Sequence, residues 1–291
     1  MADLKKIIVT GSNGQLGKEL QRICNTLKGF EFTFLSRSDM PINQFELVRH
    51  IFNTIKPDYC INCAAYTAVD KAEEEKDLAF EINGESVGVL AAICLENESR
   101  FIHISSDYVF DGQGQKPYLE TDETSPVNTY GASKLKGEEE AFKFNPESLI
   151  IRTSWVYSEF GKNFVKTMLR IMADKNSISV VNDQFGSPTY AADLAGAIFS
   201  ILQYSDWKPG IYHFSNEGVI SWYDFAVAIK EIAGKETQIN AISTPEFPTP
   251  AKRPAYSVLN KNKIQERFGI QLKDWKISLE SCIQQIKNAP N

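Results

Sequence analysis

A run of β-branched and apolar residues, KKIIVT (5–10), stops at Gly11. Two more glycines follow at intervals of three, Gly14 and Gly17, within VTGSNGQLGKEL (9–20). Beyond them Leu16, Leu20, Ile23, Cys24 and Leu27 recur at helical spacing. A glycine-punctuated turn between a strand and a helix leaves few folds open. Gly11 permits the tight turn, Gly14 lets the backbone approach a pyrophosphate, and Gly17 lets the helix pack close to the sheet. The helix N-terminus then offers unpaired N–H groups and the positive end of its dipole to an anion.

The rest of the chain keeps the same rhythm. FEFTFLS (30–36), DYCINCAA (58–65), RFIHISS (100–106) and SLIIRTSWVY (148–157) read as strands. NQFELVRHIFNTIK (43–56) and a stretch from about 75 to 97 read as helices between them. Near-continuous apolar strands alternating with helices predict a parallel sheet covered on both faces. The fold class is α/β: a Rossmann-type doubly wound parallel sheet with a smaller α/β C-terminal substrate-binding lobe. Later segments include a strand and Gly-Ser-Pro loop over 178–190, a helix over 191–202 and a strand over 210–216. Ser221 and Asp224 make a capping-box-like helix start, and TPEFPTPAKRP (244–254) predicts an extended loop. The division predicted is 1–155 plus about 186–214 for the NADP(H)-binding domain, and about 156–185 plus 215–291 for a nucleotide-sugar-binding lobe.

Composition excludes several classes. The net charge is −6, so no global basic surface points to nucleic acid. No signal peptide and no apolar run of membrane-spanning length is read from the sequence, which predicts a cytoplasmic protein without membrane contact. The five cysteines, Cys24, Cys60, Cys63, Cys94 and Cys282, do not suggest a disulfide framework. Cys60 and Cys63 lie three apart in a strand and should face opposite sides, and His50, His103 and His213 form no metal motif.

The second strand ends at FLSRSD, where an acidic residue would hold an adenosine ribose. Ser36 and Arg37 stand there instead, and a guanidinium and a hydroxyl suit a 2′-phosphate. NADPH is therefore the expected cofactor, with Asp39 close enough to admit NADH.

Pro126 marks a break before NTYGASKLKG (128–137), and Asn128 or Thr129 can cap a helix starting there. Tyr130 and Lys134 then share one face. An ammonium beside a phenol favours the phenolate, which makes the tyrosine a usable acid or base. Ser105 and Ser106 end the fourth strand, where ligands of open α/β sheets gather. Ser133 acquires no role.

GSNGQLGKELQ, NCAAYTAVDKAE, SSDYVFDG, PVNTYGASKLKGE, IRTSWVY, NFVKTML and NDQFGSPT together carry a resemblance over nearly the whole chain. The sequence resembles the dTDP-4-dehydrorhamnose reductase family of the extended short-chain dehydrogenases/reductases, whose G-x-x-G-x-x-G spacing it shares. The resemblance implies hydride delivery from NAD(P)H to the C4 ketone of a dTDP-4-keto-6-deoxy-L-hexose. It implies Tyr130 as proton donor, Lys134 as the group that lowers its pKa and holds the nicotinamide ribose, and Ser106 as the hydroxyl polarising the carbonyl. It also implies cofactor contacts from Asn13, Gly14, Gln15, Leu16, Asp39, Met40, Ala65, Tyr66 and Thr67, and sugar contacts from Ser106, Asp107 and Trp155. Lys252 and Arg253 are further candidates for the nucleotide diphosphate. Some members form a magnesium-linked dimer through glutamates. Glu19 matches one such position, while the shorter Asp193 stands at another, which leaves magnesium and the choice of monomer or homodimer open.

Two alternatives stand beside the reductase. One is an epimerase or dehydratase of nucleotide sugars on the same fold. A dehydratase needs a further acid/base pair, and no second carboxylate follows Asp107 until Asp111. The other is a non-catalytic NADP-binding regulatory subunit.

Overall fold

The computed structural model describes residues 4–288 of the 291, so the outermost residues of both predicted divisions lie outside the described range. The first half is a run of strand–helix units. In chain order they are β1 (Lys5–Thr10), α1 (Gln15–Ile23), β2 (Phe30–Leu35), α2 (Phe45–Ile55), β3 (Tyr59–Asn62), α3 (Lys76–Phe80), α4 (Ser86–Glu96), β4 (Arg100–Ser106), α5 (Thr129–Phe144) and β5 (Leu149–Thr153). There follow β6 (Val156–Tyr157), α6 (Phe164–Asp174), β7 (Ser177–Val181), β8 (Phe185–Gly186), β9 (Thr189–Tyr190) and α7 (Ala191–Gln203). The chain ends with β10 (Gly210–Phe214), β11 (Ile220–Ser221), α8 (Trp222–Ala233), β12 (Gln238–Ile242), α9 (Asn262–Phe268) and α10 (Trp275–Asn288).

Six strands form one sheet in the order β10-β5-β4-β3-β1-β2, every pairing parallel. The strand order reverses between β1 and β3, and a crevice opens at that switch point above the strand C-termini. Alternation along each strand feeds two cores. Ile7, Val9 and Ile61 face α1 and α7, where Leu16, Leu20, Leu194 and Ile198 are buried. Ile8, Cys60 and Phe101 face α2, α4 and α5 on the other side, with Val48, Phe52 and Leu90. Cys60 therefore sits in one core and Cys63 against the other, as a two-residue period demands.

The expected helix from about 75 to 97 is one stretch with a π-helical turn at Glu81–Glu85 between α3 and α4. Contrary to the sequence reading, Lys76–Glu96 is long and apolar enough to cross a membrane on length and composition alone. Its apolar residues are taken up by the protein's own core, with Val87, Leu90, Ala91, Ile93 and Cys94 buried against α2, α5 and the sheet.

A third core holds the smaller lobe. Val165 and Met168 of α6, Phe225 and Ile229 of α8, and Leu279 and Ile283 of α10 pack with Tyr157 and Tyr190. Strands β7 and β12 pair in parallel at its edge. Ser221 caps α8 through a reciprocal capping box with Asp224. Ile264, Phe268 and Ile270 belong to the large-sheet core, although they fall in the stretch expected in the smaller lobe.

The strand expected over 148–157 is interrupted. It splits into β5 and β6 because Trp155 takes a left-handed backbone, with φ of 48°. This conformation is costly for a bulky residue, and it lies at the junction of sheet and lobe.

Candidate functional site

A cleft of about 970 Å³ runs along the C-terminal edge of the sheet, between it and the smaller lobe. The glycine turn forms one end. Gly11 has φ of 63°, and a Cβ there would lie 2.6 Å from the Ala64 nitrogen. A Cβ on Gly17 would lie 2.6 Å from the Gly11 carbonyl oxygen. These glycines bring β1, β3 and α1 closer together than any side chain allows. Gly14 is the N-cap of α1 and offers no side chain to its N–H groups, so they remain available to an anion. Asn13, Gln15, Leu16 and Arg37 line the same end. That cradle fits the pyrophosphate of a dinucleotide.

Of the other expected cofactor contacts, Met40, Ala65, Tyr66 and Thr67 line the cleft. Asp39 does not. Its carboxylate accepts the Ser36 N–H at 2.8 Å and the Ser36 hydroxyl at 2.6 Å. These bonds hold the Asp39 carboxyl below the usual range. Ser36 is thus spent on closing its own turn, which leaves Arg37 as the member of the expected pair that lines the cleft.

The other end gathers the polar residues. Asn128 caps α5 by accepting the Gly131 N–H at 2.8 Å, which sets Tyr130 and Lys134 in the first turns with their side chains in the cleft. Tyr130 and Ser106 both line the cleft, and the Ser106 hydroxyl is near enough to act on the Tyr130 phenol. Ser106 ends β4, accepts the Tyr108 N–H at 3.1 Å and donates to Asp107 Oδ1 at 3.0 Å. Burial pushes the Asp107 carboxyl up to about 7, against hydrogen bonds from Ser257 and Ser106.

The expected depression of Tyr130 by Lys134 is not found. Burial pushes the phenol up to about 12, with the Ser106 hydroxyl opposing. Lys134 is turned into the sheet, where its Nζ donates to the Ile104 carbonyl at 2.6 Å. Burial brings the lysine down to about 8, with Glu138 and Cys63 opposing. Behind it, Glu138 accepts three bonds from Arg152, at 2.9, 3.1 and 2.7 Å, and one from Ser105.

Trp155 lies on the lobe side of the cleft. Its ring stacks on Trp222, a residue that sequence reasoning passed over. The signal for it was present: Trp222 opens a helix immediately after a capping serine, beside the site wall. Tyr108 was passed over too; it meets Tyr130 edge to face at 5.6 Å and lines the cleft. Ser133 proves to be a brace. It donates to the Tyr130 carbonyl and accepts from Asn83, which also holds both backbone groups of Tyr66.

Lys252 and Arg253 do not line the cleft. Arg253 pairs with Asp70 at 2.8 Å and donates to the Ala251 carbonyl, so the proline-rich loop is clasped to residue 70. The two magnesium candidates are also engaged. Glu19 accepts from Ser158 at 2.7 Å and pairs with Arg22. Asp193 accepts from Lys273, Asn216 and Ser278. Among the described residues no cluster of three or more His, Cys, Asp or Glu side chains stands ready for an ion.

The family described as "RmlD substrate binding domain" matches residues 5–288. Over 288 residues the chain is 41% identical to the dTDP-4-dehydrorhamnose reductase of Aggregatibacter actinomycetemcomitans, covering 96% of this chain and 98% of that protein. It is 44% identical to the spore coat polysaccharide biosynthesis protein SpsK of Bacillus subtilis, covering 98% and 99% of the two. The crystal structure of dTDP-4-dehydrorhamnose reductase from Bacillus anthracis in complex with NADP superposes with a TM-score of 0.93 at 38% identity, covering 97% of this chain and 99% of that one.

Proposed function

The chain belongs to the dTDP-4-dehydrorhamnose reductase family, and from that premise we propose that it reduces the C4 ketone of dTDP-4-dehydro-β-L-rhamnose to dTDP-L-rhamnose. The observation that carries this reading is that Tyr130 and Ser106 line the same cleft as the glycine turn and Arg37.

NADPH, when bound, supplies the hydride. Gly11, Gly14 and Gly17 would cradle its pyrophosphate, and Arg37 would pair with the 2′-phosphate. The protein's own work is then on the proton. Tyr130 is partly buried and holds its proton well above neutral pH, which is the state required of a donor to a forming alkoxide. Ser106 keeps a rotatable hydroxyl within reach of the same point, where it would polarise the carbonyl. Lys134 would return a proton to the Tyr130 phenolate and hold the cofactor's ribose. Trp155 and Trp222 would supply a flat apolar wall for the deoxysugar face.

NADPH consumption with dTDP-4-dehydro-L-rhamnose tests the reading. One NADPH should disappear per sugar reduced, which an epimerase, a dehydratase or a regulatory subunit would not produce. Tyr130→Phe should lower kcat by about 10²- to 10⁴-fold. Equal turnover by Tyr130→Phe would refute the assignment of the proton donor.

A further inference from the structure

Behind Lys134 runs a buried chain of hydrogen bonds that the proposed chemistry leaves unused. Lys134 Nζ lies 3.3 Å from His103 Nε2, and His103 Nδ1 lies 3.0 Å from Asn62 Nδ2. Asn62 Oδ1 in turn accepts the Thr10 hydroxyl at 2.6 Å and the Ala64 N–H at 3.2 Å. Asn62 and His103 are fully buried, so no solvent competes for their groups, while Lys134 is 2% exposed and borders the cleft through which water reaches it.

The direction of each bond follows from the one donor that cannot turn around. The Ala64 N–H lies 3.2 Å from both Thr10 Oγ1 and Asn62 Oδ1, and because a backbone N–H only donates, an Asn62 NH₂ on that side would oppose it; the Asn62 oxygen therefore faces Ala64 and its NH₂ faces His103. His103 Nδ1 must then accept. A neutral imidazole that accepts at Nδ1 carries its proton on Nε2. That N–H points at Lys134 Nζ. An ammonium has no lone pair to receive it, whereas a neutral amine has one.

We propose that His103 is a positioning residue for Lys134: Asn62 locks its Nε2–H tautomer, and that N–H holds the lone pair of the deprotonated lysine. The proposal rests on the reading of Lys134 as the group that restores the proton to Tyr130. In that step the N–H bond of the ammonium breaks, the O–H bond of Tyr130 forms, and the amine left behind is received by His103. Water reloads the lysine. The other groups facing Lys134 are Glu138 on its own helix, Cys63 beyond β3, and the Ile104 carbonyl of β4. Around His103 stand Asn62 on β3, Phe101 stacked at 6.1 Å on β4, and Ile150 opposite on β5, none of them charged. Burial, with Lys134 beside it, holds the His103 imidazole well below its ordinary value and hence neutral.

Two-bond ¹H–¹⁵N correlation spectra of the ¹⁵N-histidine-labelled protein read the tautomer directly. Only three histidines are present, and His103→Phe identifies the signal. Protonation at Nε2 with a bare Nδ1 is expected, and a proton on Nδ1 would overturn the proposal. This readout is independent of turnover, so it separates the tautomer from the assigned reaction. In the pH profile of kcat, His103→Phe should move the alkaline limb up by about one pH unit, because the neutral amine loses its donor. A profile lowered in height but unmoved in pH would reduce His103 to packing and also overturn the proposal. Failure of Tyr130→Phe to lose activity would instead count against the proton donor while leaving the tautomer result intact.

Discussion

The Trp155 indole lies flat on Trp222, with ring centroids 3.6 Å apart and planes 10° from parallel. Phe164 also packs on Trp222, at 4.6 Å and tilted by 50°. The stack holds Trp155 against Gly186, where a Cβ would come within 2.6 Å of the indole. A left-handed tryptophan backbone is thus held in place by close packing from two directions, at the junction of sheet and lobe.

Removing the stack should loosen sugar binding more than chemistry. Trp222→Ala is expected to raise KM for the nucleotide sugar about tenfold, in line with the loss of one aromatic contact, while kcat falls less. Steady-state kinetics against varied sugar concentration checks this. A kcat loss with unchanged KM would place the stack outside the binding wall.

Arg37 stands alone at the end of β2, since Ser36 and Asp39 are bonded to each other. Arg37→Ala should cost about tenfold or more in kcat/KM with NADPH and little with NADH, because only the 2′-phosphate is lost as a partner. Parallel titrations of the two cofactors decide it. Equal losses would assign Arg37 to a group that both share.

Asp107 carries a pH signature. Its carboxyl is pushed up to about 7 by burial, against about 4 in an unfolded chain. An acid whose folded value lies above its unfolded one contributes stability that is lost as pH rises from the unfolded value to the folded one. Buried Glu19 is raised as well and adds a slope of the same sign. Asp107→Asn should therefore flatten, without abolishing, the fall in Tm between pH 5 and 8. Identical wild-type and variant slopes would show that Asp107 is not protonated in the folded state at the lower pH.

Glu138 and Arg152 form a buried pair, each 2% exposed. Glu138→Gln would leave the guanidinium uncompensated and should cost about 3–5 kcal/mol in urea unfolding. The double change Glu138→Leu with Arg152→Met should recover much of that loss, because neither partner of the pair is then left as an uncompensated buried charge. A double variant as unstable as the single one would show that packing rather than charge dominates there.

Much of the fold was legible from periodicity. Leu16 and Leu20, or Val48 and Phe52, lie one helical turn apart and are buried as pairs. Strand alternation likewise separated Cys60 from Cys63. The break at Trp155 was not legible. SLIIRTSWVY has β-branched and aromatic residues on both sides of its polar centre and reads as one strand, and nothing local marks a tryptophan for the left-handed region. The engagement of Arg253 escaped for a different reason: its partner Asp70 lies 183 residues away. The bonds from Asp39 back to Ser36 were not legible either, because a carboxylate three residues past a strand can turn outward to a ligand or back onto its own turn, and only geometry distinguishes the two.

By itself the sequence determined the order of strands and helices, the glycine turn, and the family through motifs spread along the chain. Those properties depend on residues near one another in the chain, whose backbone preferences and spacing act locally. Only the tertiary structure decided which charges are spent and which are free. It turned Lys134 toward Ile104 and His103, tied Ser36 to Asp39, engaged both magnesium candidates with protein donors, and laid Trp222 on Trp155. Each of these depends on desolvation and on a partner's position in space, and neither is set until distant segments pack together.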